Sequence, residues 1–266
     1  MKKFFYILLP LLLLNACSEY QKALKSEDIA TKFKIGENLF NNGKFAKANR
    51  LFAQIVPNYR GKPQAEKLMF LYSMSFYEMG DYYVSGYQFE RFATSYPRSE
   101  KLEEASFISV KSYYMLSPVY SKDQTETKTA IEKAQTFINT FPDSKYISET
   151  NELIKELDYK LEKKAFEIGK QYNRISDYQA SIKTLDNFIF DFPGSTLREE
   201  ALFYKLDSAF KLAINSVEYK KQARLEQAKE FYTAFKKKYI DSKHTVKADA
   251  MAEAIEEELE NYSTKS

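Results

Sequence analysis

Tryptophan is absent from the 266 residues, and cysteine and histidine occur once each. The single cysteine, Cys17, closes no internal disulfide. Cys17 and His244 together fall short of the four ligands of a structural zinc site, so no metal is expected. His244 is the one imidazole a Ser-His-Asp arrangement could use, which argues against most nucleophilic hydrolases. Glycine and proline number seven each, well below the average of about 7% and 5% of residues. Sandwiches and barrels need more turn residues than that. What is plentiful is aromatic: 21 Phe and 21 Tyr. Few breakers and many rings predict long helices packed through aromatics, with little equipment for catalysis; the chain reads as a non-enzyme.

Long apolar runs are also missing. The longest, Phe4 to Leu14, follows Lys2-Lys3 and contains Pro10. It is shorter than the ~20 residues a spanning helix needs, and matches the charged and apolar regions of a secretory signal. The run ends in Leu14-Asn15-Ala16-Cys17, which resembles the bacterial lipobox, where a small residue precedes a cysteine that is lipidated and becomes the new N-terminus. Residues 1–16 are therefore expected to be a lipoprotein signal peptide. Cys17 is the expected lipid attachment site, and residues 17–26 a lipidated tether. Two or more acyl chains anchor a protein stably where one does so marginally. Ser18, not Asp, follows Cys17, which by resemblance to lipoprotein sorting favours the outer membrane. No cofactor beyond this covalent lipid is expected.

Cleavage would leave 38 of the 40 basic residues against 37 acidic ones, a net charge of +1. So neutral a chain lacks the footprint of a nucleic-acid binder. The runs Lys236-Lys237-Lys238 and Glu256-Glu257-Glu258 read as solvated helix faces.

One phrase recurs: an aromatic, three residues, then an aromatic often followed by Pro. It stands as Phe92…Tyr96-Pro97, Phe137…Phe141-Pro142 and Phe188…Phe192-Pro193, with weaker copies at Ile55…Tyr59 and Phe235…Tyr239. The second aromatics are 37, 45, 51 and 47 residues apart. A serine follows at Ser99, Ser144, Ser195 and Ser242, placed to cap the next helix. Upstream, Gly36, Gly43, Phe45, Ala48 and Phe52 fall at the helix-turn-helix spacing of the tetratricopeptide (TPR) repeat, as do Gly169, Tyr172, Tyr178 and Pro193. Gly80-Asp81-Tyr82 makes the turn of the second copy. The third departs, because Ser117-Pro118 ends its first helix and a polar stretch to Thr127 replaces the tight turn. The fifth has Ala223, Leu225 and Ala228 at the signature positions. The prediction is an all-α, TPR-like helical-hairpin solenoid of about five repeats. The hairpins cover 27–61, 63–98, 100–143, 145–194 and 196–241, with a capping helix from Thr245 to Tyr262. Repeats 1–3, residues 27–143, would form an N-terminal half, and repeats 4–5 with the capping helix, residues 144–266, a C-terminal half.

Chemistry finds no convergent site. Gly43-Lys44 lacks the spacing and the Ser/Thr of a phosphate loop. Glu103-Glu104 and Glu199-Glu200 sit early in predicted helices, where carboxylates suit the dipole. Binding is the better prospect. The inner wall of a TPR array is lined mainly by the first helix of each hairpin. Register places Phe33, Glu37 and Phe40 there from the first copy, Phe70, Met74 and Tyr77 from the second, and Phe107, Lys111 and Tyr114 from the third. Aromatic steps with a few polar groups suit an extended or helical peptide.

The whole pattern resembles the BamD family of outer-membrane assembly lipoproteins, also called YfiO or ComL. The telling stretch is Ser117-Pro118-Val119-Tyr120-Ser121-Lys122-Asp123-Gln124-Thr125, then Ala130-Ile131, then Phe141-Pro142-Asp143-Ser144-Lys145-Tyr146. It is similar to that family's third repeat, with Phe141 where Tyr is usual. The resemblance implies a scaffold of the β-barrel assembly machinery on the periplasmic face of the outer membrane. Its C-terminal repeats would dock the POTRA domains of BamA, the barrel-forming subunit. Its N-terminal repeats would engage unfolded outer-membrane proteins. The rival readings are another periplasmic TPR adaptor, a SusD-like glycan-binding lipoprotein, and an envelope hydrolase. The chain is about half a SusD length and lacks the Trp that sugar platforms favour.

Overall fold

The computed structural model describes residues 18–263; the expected signal peptide and Cys17 lie outside them. Helix α1 spans Ser18–Lys25. Five hairpins follow: α2 (Ile29–Asn41) with α3 (Phe45–Ile55), α4 (Ala65–Glu78) with α5 (Tyr82–Ser95), α6 (Leu102–Leu116) with α7 (Thr125–Thr140), α8 (Ile147–Arg174) with α9 (Tyr178–Asp191), and α10 (Arg198–Ile214) with α11 (Glu218–Lys238). Helix α12, Thr245–Ser263, closes the chain, and the described residues contain no strand. The expected all-α, TPR-like hairpin fold is what forms.

The chain divides into two compact units. One comprises residues up to Pro118 with Gln124–Leu157; the other comprises Val119–Asp123 with the chain from Asp158 onward. The division falls inside α8 and within the third loop. The segment expected as a tether is helical: α1 buries Ala23, and the Lys32 ammonium of α2 reaches back to the Leu24 carbonyl at 3.4 Å. Helical periodicity over eight residues was too brief to register in the sequence.

The recurring phrase is the end of each second helix. In four hairpins the second aromatic donates its backbone N–H to the carbonyl of the first: Tyr96 to Phe92, Phe141 to Phe137, Phe192 to Phe188 and Tyr239 to Phe235, each at 2.9 Å. The rings of each pair also pack, with centroids 5.2–5.9 Å apart. Proline after Tyr96, Phe141 and Phe192 disfavours further helix. Ile240 stands in its place after Tyr239, yet the stop has the same geometry. Proline is therefore not required for this stop.

Each repeat core is built from one ring of the first helix against one of the second. The pairs are Phe33 with Phe52, Phe70 with Phe89 and Phe92, Phe107 with Phe137, Phe166 with Phe188, and Phe203 with Phe235. Close helix approach depends on two glycines. A Cβ on Gly36 would lie 2.6 Å from the Phe52 ring, and one on Gly169 2.7 Å from Leu185. The tight turns use a left-handed residue: Gly43 (φ 71°), Gly80 (φ 78°) and, without glycine, Ser176 (φ 65°). Asp81 and Asp177 then cap α5 and α9, accepting from Val84 and Ala180.

The loop serines do more than cap. Each hydroxyl accepts from the backbone N–H two residues on, at Lys101, Tyr146, Leu197 and His244. Three also donate to a carboxylate at the start of the preceding first helix: Ser99 to Glu66, Ser144 to Glu103 and Ser242 to Glu199, at 2.5–2.6 Å. These bonds clamp the two ends of a repeat together.

Candidate functional site

The first helices of the N-terminal unit, α2, α4 and α6, carry the nine residues expected to form a binding wall. The unit also includes α8 as far as Leu157. The structure sorts them. Phe33 and Phe107 are core residues, 6% and 4% exposed. Phe33 packs on Phe52 and Tyr59, and Phe107 is stacked under Tyr146 at 4.3 Å. A docking chain would not meet them. Helical register put them on the right helix; only the following loop, folding back as a lid, took them out of reach.

The other seven are half-buried. Phe40 meets Phe45 edge-on at 5.2 Å, and Tyr77 meets Tyr82 at 5.5 Å. Phe70 lies against Phe89 and Phe92, with the Lys101 ammonium 5.4 Å above its ring. Met74 packs on the same aromatic cluster. The polar members join neighbouring first helices. Glu37 of α2 pairs with Lys67 of α4. Lys111 of α6 pairs with Glu149 of α8 at 3.0 Å while its ammonium stays 5.5 Å from the Phe107 ring. Tyr114 of α6 donates to Glu156 of α8. The sequence did not single out Lys67, Glu149 or Glu156; their signal would have been position on a first helix one repeat along.

The electrostatics follow from this packing. Burial works against the Lys111 charge, but its bond to Glu149 and the nearby Tyr77 leave its pKa raised. The bond to Glu156, with burial, pushes the Tyr114 hydroxyl up to about 12, so it remains a donor at neutral pH. Burial likewise raises Tyr77. The wall thus offers half-covered rings, one thioether and charges of both signs. Partly exposed ion pairs of this kind are worth about 0–1 kcal/mol each, so they can exchange partners with an arriving chain at small cost. That suits reversible binding of a polypeptide.

The acidic pairs Glu103-Glu104 and Glu199-Glu200 are already engaged. Glu103 accepts from Ser144 and Glu104 from Lys101. Glu199 accepts from Ser242 and Glu200 from Lys243. His244 lies flat against Phe203. The N-terminal unit also holds an apolar cleft of about 430 Å³ among α5, α6 and α7, lined by Phe89, Ala93, Leu102, Val110 and Phe137 beside Lys133.

The family model for YfiO, described as an outer membrane lipoprotein, matches residues 26–224. The chain belongs to this family. Membership supports association with the outer membrane, and no helix among the described residues is long and apolar enough to cross a membrane. Family relatives agree in name. The outer membrane protein assembly factor BamD of Rickettsia prowazekii is 26% identical over 70% of this chain and 74% of its own. That of Pasteurella multocida is 21% identical over 86% of this chain and 92% of its own. A candidate BamD of Aquifex aeolicus is 29% identical over 75% of this chain; the match spans 65% of that relative's length.

Proposed function

We propose that this chain is the lipid-anchored scaffold of an outer-membrane β-barrel assembly machine, without catalytic activity of its own. The observation that carries the reading is the family match over residues 26–224, joined by relatives named as assembly factors. In this reading Cys17 bears the lipid, which is the one prosthetic group, and the fold faces the periplasm. The half-buried wall of Glu37, Phe40, Phe70, Met74, Tyr77, Lys111 and Tyr114 receives segments of unfolded outer-membrane proteins. Its mix of rings and exchangeable ion pairs supports that role. The C-terminal repeats dock the POTRA domains of a BamA-type barrel subunit.

The test is a mild-detergent pull-down of the anchored protein with mass spectrometry, paired with depletion. Recovery of a POTRA-containing barrel protein and a fall in folded outer-membrane barrels are expected. Normal barrel levels after complete depletion would sink the reading. Cys17→Ser should release the protein from membranes.

A further inference from the structure

Helix α1 and the first hairpin enclose a cleft of about 680 Å³ on the N-terminal unit. Lys22 from α1, Lys34 from α2 and Lys44 from the α2–α3 turn line it, with Glu19 the one carboxylate on its wall. All three lysines are exposed, and none makes an ion pair among the described residues. Elsewhere in this unit Lys67, Lys101, Lys111, Lys133 and Lys155 each hold a carboxylate. Over residues 18–50 the chain carries seven basic and four acidic side chains, against a mature net charge near zero. Tyr20, Ile35 and Leu39 supply an apolar floor. Lys47 stands 5.4 Å from the Tyr20 ring.

We propose that this cleft seats the phosphate of an anionic phospholipid headgroup, holding the first repeat against the bilayer. The identity of the occupant follows from chain connectivity, and so rests on Cys17 being the anchor. Ser18 opens α1, and a helix rises 1.5 Å per residue, so Lys22 lies within about 10 Å of the anchoring residue. A cleft so tied is held close to the headgroup zone, where anionic headgroups can approach its lysines to within the Debye length of about 8 Å at physiological salt. An aromatic ring beside lysines is the composition that settles at a membrane interface. The floor of Ile35 and Leu39 meets the glycerol end while the ammonium groups meet the phosphate.

The test does not depend on the anchor. The chain starting at Ser18 carries every described helix and no lipid. Its sedimentation with vesicles of phosphatidylethanolamine, alone or mixed with phosphatidylglycerol, reads the cleft directly. Binding should require phosphatidylglycerol and fall with salt. Each lysine near a surface contributes about fivefold, so Lys22→Gln, Lys34→Gln and Lys44→Gln together should weaken binding on the order of a hundredfold. A control triple, Lys155→Gln, Lys183→Gln and Lys237→Gln, should keep most of it. An unchanged melting temperature in both triples establishes that folding is intact. Equal binding to both vesicle types, or equal losses in the two triples, would overturn the proposal. So would competition by inorganic phosphate at millimolar levels, which would mark a site for free phosphate. Failure of Cys17→Ser combined with the three cleft changes to leave membranes in cells would strike the anchor and leave this result standing.

Discussion

His244 lies flat on Phe203, with ring centroids 4.1 Å apart and planes 12° apart. Tyr146 covers Phe107 in the same way at 4.3 Å and 9°. Both follow a loop serine by two residues, and so does Lys101, whose ammonium sits above Phe70. In three repeats, therefore, one position lids the first-helix ring, filled by an imidazole, a phenol or an ammonium. The only histidine is one solution to a packing problem the chain solves several times.

That placement has a pH signature. The Nε2 of His244 is buried and finds no hydrogen-bond partner. Burial and then Lys243 lower its pKa from about 6.5; Glu200 and Glu199 oppose them, while Lys247 adds to the lowering. The unfolded chain thus takes up a proton that the fold resists. The stack's contribution is whole above about pH 6.5 and declines as pH falls below it. Glu200, held down by its bond to Lys243, adds a loss only in the carboxylate range, below about pH 4.5. His244→Tyr, the third repeat's own choice, should remove the upper slope and keep the stack. Urea midpoints between about pH 5 and 7.5 would check this. Parallel slopes in the two proteins would refute it.

Two glycines are expected to refuse a methyl group. Alanine at Gly36 would press on Phe52 and at Gly169 on Leu185, both fully buried. The helix propensity gained, about 1 kcal/mol, is smaller than the cost of overpacking, about 1–3 kcal/mol. Net losses of up to about 2 kcal/mol should appear in thermal unfolding. Gly194→Ala, where nothing lies within 4 Å, should stay within about 0.5 kcal/mol of the parent.

Ser176 holds a left-handed conformation that Gly43 and Gly80 occupy without strain. Left-handed geometry costs a side-chain-bearing residue about 1–2 kcal/mol. Ser176→Gly should therefore stabilise the protein by up to about 1 kcal/mol after the added chain entropy of glycine. Gly80→Ala should lose about as much. Denaturant midpoints at unchanged m-value would report both.

The sequence made the hairpins legible because their punctuation is local. An i,i+4 aromatic pair, a following serine and a turn glycine all act within one repeat, and helix ends fell within a few residues of expectation. What it hid was contact far apart along the chain, within a repeat and between repeats. The Ser144–Glu103 clamp spans 41 residues and the Tyr114–Glu156 bond 42. No periodicity encodes such distances when the period itself drifts. For the same reason Phe33 and Phe107 read as wall residues: helical register gives the face of a helix, not the loop that comes back to cover it. Helix α1 was lost for want of length, and the 28 residues of α8 read as extra spacing between copies.

The division between core and wall can itself be tested. Phe33→Ala removes a ring that is 6% exposed and should cost about 3–5 kcal/mol of stability. Its effect on peptide binding should vanish wherever the variant remains folded. Lys67→Ala and Lys111→Ala remove half-exposed partners of Glu37 and Glu149, at about 0–1 kcal/mol each. Tyr114→Phe removes only the hydroxyl donated to Glu156. If the wall holds unfolded barrel segments, these three changes together should weaken an aromatic-ended strand peptide severalfold while the melting temperature moves little. Fluorescence anisotropy with a labelled peptide, alongside thermal unfolding, separates the two effects. Full affinity in the triple variant would move peptide binding off the first helices and leave the apolar cleft lined by Phe89, Leu102 and Phe137 as the surface to probe.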